Sequence, residues 1–506
     1  MKITFIFYII NIFIMFISRS IFIKVLGADI TGLNSLFTSL IGFLNVAELG
    51  IGAAIGYSLY LPLSTKNYEK VNDIMILFKH YYKNICKIIL LSGLVLSLFL
   101  PLLIKNQINI VYAYLCYYLY LFNCALSYLF TYKQTLIIAD QKQYKITSCI
   151  NIVKIVKAIL QCIAIFIIPS FILWIFIEIF FNMLGMLLAN RKIDIEYRNL
   201  VTYKSKNNIE MIKRDNITIT HNIKNVFVHK IGSFVIFQTD AILITIFSTL
   251  KETAIYANYT MIISSLTGLL SNAIGSIMPS IGNLIAEESR EKSYDIFRKL
   301  YILDHIIAIF VSIVTYTVIN EFVVFWVGKE YLFSKYIVLS LIINLYIQIS
   351  RGTVDRFKDG FGIYWDVGAP IIESIVNLIF SIVLAKYIGI VGIFIGTIIS
   401  NILIVEFWKP YVLFKEGFRI NVFKYIDQAV KVFSINMLII FFSNLIYKKV
   451  ILFIKIDNIF ISLIIHLIFI SVITGFLILI FYILFNDFRY FLKLLNRNLS
   501  LSINKK

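Results

Sequence analysis

Apolar stretches of about 20 residues recur from one end of this chain to the other, and they restrict its fold more than any other feature. A helix that crosses the hydrocarbon of a bilayer needs about 20 mostly apolar residues. Of the 506 residues, 60% are hydrophobic and only 15% charged, too few to supply the surface of a soluble domain. Six prolines and 22 glycines leave the runs largely unbroken. Charged or turn-forming clusters divide them into fourteen candidate spans, at 4–24, 31–61, 82–104, 108–132, 146–168, 170–189, 226–248, 255–285, 300–322, 335–352, 367–387, 389–408, 430–447 and 459–485. The expected class is an all-α polytopic membrane protein.

Met1-Lys2 and the apolar run to Ile17 resemble the start of a signal sequence. No small-x-small cleavage site follows, and Arg19 and Lys24 interrupt the far end, so the segment reads as a retained first span. With the N-terminus inside, about 34 of the 47 Lys and Arg fall in segments on the cytoplasmic side, about 9 outside and about 4 within spans. That asymmetry predicts both termini in the cytoplasm. The loop bearing Lys448, Lys449 and Lys455 runs against it. The longest loop carries Arg191, Lys192, Arg198, Lys204, Lys206, Lys213, Arg214 and Lys224, a composition suited to anionic headgroups.

A weak internal repeat divides the chain. Asp29 to Asn34 opens the second span and Glu252 to Asn258 the eighth, with Gly52 and Gly275 in register. A parallel repeat predicts two six-helix lobes around a central cavity plus two C-terminal helices. The expected boundaries are 1–190 for the first lobe, 191–225 for a basic cytoplasmic linker, 226–414 for the second lobe, and 415–506 for the extra helices and a basic tail.

Ionisable side chains inside the spans carry the chemical information. A charge at the bilayer centre costs roughly 2.5–3.5 kcal/mol on insertion scales, so it faces water or a partner. Arg19 lies in span one, and Lys154 and Lys157 project from one face of span five. A guanidinium fork and flexible ammonium groups suit a diphosphate or an acidic sugar. The alternative is internal pairing, for example of either lysine with Glu178 in span six. Glu48, Glu178, Asp240 and Glu373 are the acidic candidates for lining a cavity or coupling to an ion, Asp240 foremost for proton or ion coupling and Glu48 and Glu373 more readily as interhelical hydrogen-bonding groups.

The five cysteines form no CxxC pair, and the five histidines have no metal-ligand spacing, so neither a metal nor a cofactor is expected. There is no GxxxxGK[ST] loop, GxSxG elbow or HExxH motif, and no expected outside loop exceeds about 15 residues. Gradient-driven transport rather than enzymatic turnover is the expectation. A drug or metabolite antiporter is the alternative, and a membrane-embedded polysaccharide polymerase or acyltransferase a more distant one.

Several stretches, in order, resemble Wzx-type polysaccharide flippases: Arg19 to Asp29 followed by Thr31 to Phe37, Ala47 to Gly52 leading into Tyr57 to Leu63, and Ala139 to Tyr144. His229 to Gly232, Thr239-Asp240, Ser280 to Leu284, Glu373 to Leu378 and Trp408 to Tyr411 extend the resemblance. It implies the fold of the multidrug/oligosaccharidyl-lipid/polysaccharide exporter superfamily. It also implies a cargo of undecaprenyl-diphosphate-linked oligosaccharide, moved across the bacterial cytoplasmic membrane for capsule or cell-surface polysaccharide. The polymerase and glycosyltransferases of such a pathway are then the expected partners.

Overall fold

The computed structural model describes residues 2–45, 51–198, 209–215, 239–274, 278–363, 365–366, 368–451, 458–483 and 485–490. Among them there are helices and no strand. Glu48, His221, His229, Lys455, the 226–238 part of span seven and most of the basic linker lie outside the described residues.

Ten described helices are long and apolar enough to cross a membrane. The other four expected spans are fused, charged or only partly described. The element α1 (Lys2–Leu44) holds two helices that meet without an intervening loop. Their junction is a kink at Gly27, whose φ of 81° and ψ of 175° suit a residue without Cβ, so span one ends and span two begins there. Span two continues through α2 (Ile51–Ser64), and span three is α3 (Tyr68–Ser97) with the short α4 (Leu100–Ile104). Span eight corresponds to α9 (Leu250–Ile274) and α10 (Met278–Glu287).

The chain forms two compact units, one of residues 1–257 with 370–374, the other of 258–369 with 375–506. In the first unit α5 (Ile110–Ala139), α6 (Tyr144–Ile167) and α7 (Phe171–Glu196) pack on one another and on α1 and α3. Asn109 and Ser170 begin α5 and α7 by accepting hydrogen bonds from otherwise unpaired backbone N–H groups, each worth about 1 kcal/mol. Aromatic rings fill the core. Phe22 meets Trp174 edge-on at 4.8 Å, and Phe37 meets Tyr117 at 5.6 Å. The seven-residue α8 (Ile209–Asp215) docks on α3, where Lys213 and His80 are 3.2 Å apart.

The second unit is organised on α11 (Arg290–Trp326), which packs against α12 (Lys335–Ser350) and α18 (Ile459–Tyr482). Its core is a cluster of Phe297, Phe357, Phe414 and Phe418. Around it run α13 (Gly352–Gly360), α14 (Gly368–Ile388), α15 (Ile390–Ser400), the short α16 (Lys409–Val412) and α17 (Phe423–Ile451). The backbone on both sides of α16, Asn401–Trp408 and Leu413–Phe418, widens to π-helix. Pro410 between them offers no N–H to the helical ladder.

The first segment of the sequence repeat packs against the start of α9 inside the first unit. Gly32 presses against the backbone of Leu250 so closely that a Cβ would collide with its carbonyl. Gln107 accepts from the Leu250 N–H at 2.8 Å, and Lys105 donates to the Ile246 carbonyl. Small residues permit such close helix approach where lipid gives no hydrophobic drive to association.

Candidate functional site

The first unit has an open cavity of about 330 Å³ whose walls carry amides and hydroxyls. Helix α5 supplies Tyr120, Asn123, Ser127, Tyr128 and Thr131, spaced to share one face of the helix. Asn45 comes from the end of α1 and Asn182 from α7. Tyr128 donates to Asn45 Oδ1 at 2.8 Å, the Cys124 thiol approaches the same oxygen at 3.1 Å, and Tyr120 donates to Asn34 Oδ1. Hydrogen bonds between side chains thus fix the wall.

A polar cluster continues from that wall. Asn182 donates to Asn123 Oδ1 at 3.4 Å and to Glu178 Oε1 at 3.1 Å. Lys157 donates to Glu178 at 2.5 Å and to Asn182 Oδ1 at 3.3 Å. Gln161 donates to the other Glu178 oxygen at 2.9 Å and to the Trp174 carbonyl at 3.1 Å. The Lys157–Glu178 pair therefore both joins α6 to α7 and touches a cavity residue. Its side chains are 16% and 26% exposed, so the pair keeps some access to solvent.

The remaining sequence candidates take different positions. Lys154, one turn before Lys157, is exposed and has no partner among the described residues. Arg19 is buried, with its guanidinium 3.5 Å from the Ala254 carbonyl and Tyr120 within its electrostatic reach. Asp240 is buried, and Tyr256 donates to its Oδ2 at 3.4 Å while its Oδ1 has no hydrogen-bond partner among the described residues. Glu373 is buried on α14. Glu48 lies outside the described residues. Lys157 and Glu178 are in direct contact.

Scanning for charge passed over the uncharged lining: Asn45, Asn123, Asn182, Tyr120 and Tyr128. The available signal was spacing. Tyr120, Ser127, Tyr128 and Thr131 repeat at helical intervals along an otherwise apolar span, and Asn182 stands four residues after Glu178.

Among the described residues no group of three or more His, Cys, Asp or Glu side chains could hold a metal ion. All five cysteines are free thiols, three of them buried.

No protein-family model and no curated protein matches this sequence. Solved structures do. The chain is similar to the lipid II flippase MurJ in its inward closed conformation, with a TM-score of 0.67 and 14% identity over 95% of this chain and 99% of that one. It is also similar to a multidrug resistance MATE family transporter of the MOP superfamily in its inward-facing conformation, with a TM-score of 0.56 and 12% identity over 80% of this chain and 93% of that one. At these identities the likeness is one of fold, and it extends along nearly the whole chain.

Proposed function

We propose that this protein is a membrane transporter that flips undecaprenyl-diphosphate-linked oligosaccharide repeat units across the bacterial cytoplasmic membrane, by ion-coupled alternating access. The observation that carries the reading is the cavity of the first unit. Its amides and hydroxyls are the groups that recognise sugar hydroxyls, and Lys157 adjoins it. The fold shared with a lipid II flippase is consistent with a lipid-linked cargo.

In this reading Lys154, Lys157 and Arg19 neutralise the diphosphate. Lys154 is the cation most available to it, because Lys157 and Arg19 already have protein contacts. An arriving diphosphate competes with Glu178 for Lys157 and releases a carboxylate next to Asn182, which supplies a means for cargo to reset the α6–α7 contact. Asp240, with one carboxylate oxygen unpartnered, is the first candidate for proton or ion coupling, and Glu373 the second. Residues 1–190 and 226–414 are taken as the two moving halves, and 415–506 as an addition to them. Capsule or another cell-surface polysaccharide is the pathway, with its polymerase and glycosyltransferases as functional partners.

The test is export in cells lacking the chromosomal copy. Lys154→Glu and Arg19→Glu proteins that insert normally should make no surface polymer and should accumulate lipid-linked oligosaccharide. Full polymer from both variants contradicts the diphosphate assignment. The similarity to a multidrug transporter supports a second reading, efflux of organic cations. It predicts the reverse charge dependence, with Glu178→Gln abolishing drug resistance and Lys154→Gln sparing it.

A further inference from the structure

A second cavity in the first unit, of about 580 Å³, opens between α3, α5 and α7, away from the amide-lined one. Lys79, Lys133, Arg191 and Arg198 stand around it with one acid, Asp194, which Lys133 holds at 2.6 Å. Besides that pair, Lys79, Arg191 and Arg198 line the opening. Lys79 and Arg191 are exposed and have no partner among the described residues. These cations emerge at the membrane face that the charge asymmetry of the loops assigns to the cytoplasm.

Apart from Tyr132 and Asn190, the rest of the lining is apolar. Leu129, Leu187 and Ile195 are 43%, 43% and 64% exposed, on helices that cross the membrane. A soluble anion has no use for such a wall. A phospholipid does, because its acyl chains lie along the hydrocarbon while its phosphate stays at the interface. Basic pockets between membrane helices are a recognised way to hold anionic headgroups. The surroundings reinforce the field, since Lys213 of α8 and Lys83 and Lys87 of α3 act electrostatically on His80, which follows Lys79 in the chain.

We propose that this pocket binds one anionic phospholipid of the surrounding leaflet, with its phosphodiester among Lys79, Arg191 and Arg198 and its acyl chains over Leu129, Leu187 and Ile195. A lipid so placed would couple α3, α5 and α7 to the composition of the leaflet. The proposal does not depend on what the protein transports.

Native mass spectrometry of the full chain, released from bilayers of phosphatidylglycerol and phosphatidylcholine, tests it. The wild type should retain one phosphatidylglycerol in preference to phosphatidylcholine. Occupancy should fall about fivefold for each charge removed, and so on the order of twentyfold or more in Lys79→Gln/Arg191→Gln. The exchanged pair Lys79→Arg/Arg191→Lys should recover it, and Lys424→Gln/Lys431→Gln in the second unit should leave it unchanged. Equal retention by the wild type and Lys79→Gln/Arg191→Gln overturns the proposal, as does equal retention of the two lipids. Complete displacement by millimolar inorganic phosphate also overturns it, by assigning the cations to a soluble anion.

Discussion

In the second unit, the cations around α13 stand against carboxylates. Arg356 meets Asp304 at 2.5 Å, Lys358 meets Asp366 at 2.6 Å, and Lys409 and Arg351 each meet Asp355 at 3.0 Å. Asp304 and Asp366 are almost fully buried, and Thr353 donates a further hydrogen bond to Asp304 at 2.6 Å. The first unit treats its membrane cations differently. Lys157 has a carboxylate, but Lys154 on the same helix has none among the described residues, and uncharged amides and hydroxyls surround an open volume close by. Matched charges deep in a protein hold helices together and leave nothing over for a ligand. An unmatched ammonium within a span is costly to keep unless a ligand or water meets it. The charges of the second unit thus hold helices together, and the proposed function puts cargo handling on those of the first.

The largest effect expected from this contrast is on stability. Asp304→Ala leaves the half-buried Arg356 without its carboxylate and should cost about 3–5 kcal/mol, read as a large drop in the thermal unfolding temperature in detergent. Lys154→Gln should stay within about 0.5 kcal/mol of wild type in the same assay. Comparable losses from the two would erase the distinction.

Lys157→Met sits between these extremes. It strands Glu178 among Gln161 and Asn182 and should cost about 1–3 kcal/mol. The double change Lys157→Met/Glu178→Gln should recover part of that loss, and a coupling energy near zero in the double-mutant cycle would show that the pair is not a structural contact.

The smallest effect is a pH step in the docking of α8. Burial first, then Lys213, Lys83 and Lys87, lower His80 from its ordinary value of 6.5. The unfolded chain therefore takes up this proton before the folded one does. The contribution of His80 to stability is complete above about pH 6.5 and declines as the pH falls from there toward the lowered value. Protonation also removes the acceptor that faces Lys213. The protection factors of the 209–215 amides, corrected for the intrinsic pH dependence of exchange, should fall on acidification through this window, and His80→Gln should abolish the dependence.

The fold class was legible because lipid permits so few backbone solutions. Apolar length alone locates most of the spans, and Asn109, Ser170 and Asn458 mark helix starts in the sequence as they do in three dimensions. The tight junction of spans one and two was not legible. Residues 25–30, between the two expected spans, read as a short loop, whereas the two helices meet at Gly27, which alone departs from helical geometry there. The candidate site was half legible. Isolated charges stand out in an apolar run, but whether Lys157 meets Glu178 or a ligand depends on the packing of α6 against α7, which no local pattern encodes. The Asn and Tyr lining is quieter still, because an amide or phenol in a span costs far less than a charge and so stands out less. The close approach of Gly32 to Leu250 joins residues more than 200 positions apart, and the repeat in the sequence only hinted at it.

The most direct test of cargo handling by the first unit is transbilayer movement of an undecaprenyl-diphosphate-linked oligosaccharide in proteoliposomes of purified protein. Wild-type protein should move it, Lys154→Glu should not, and Lys431→Gln in the second unit should match wild type. Wild-type rates from Lys154→Glu at equal incorporation, or no movement by the wild type under any imposed ion gradient, would contradict the account.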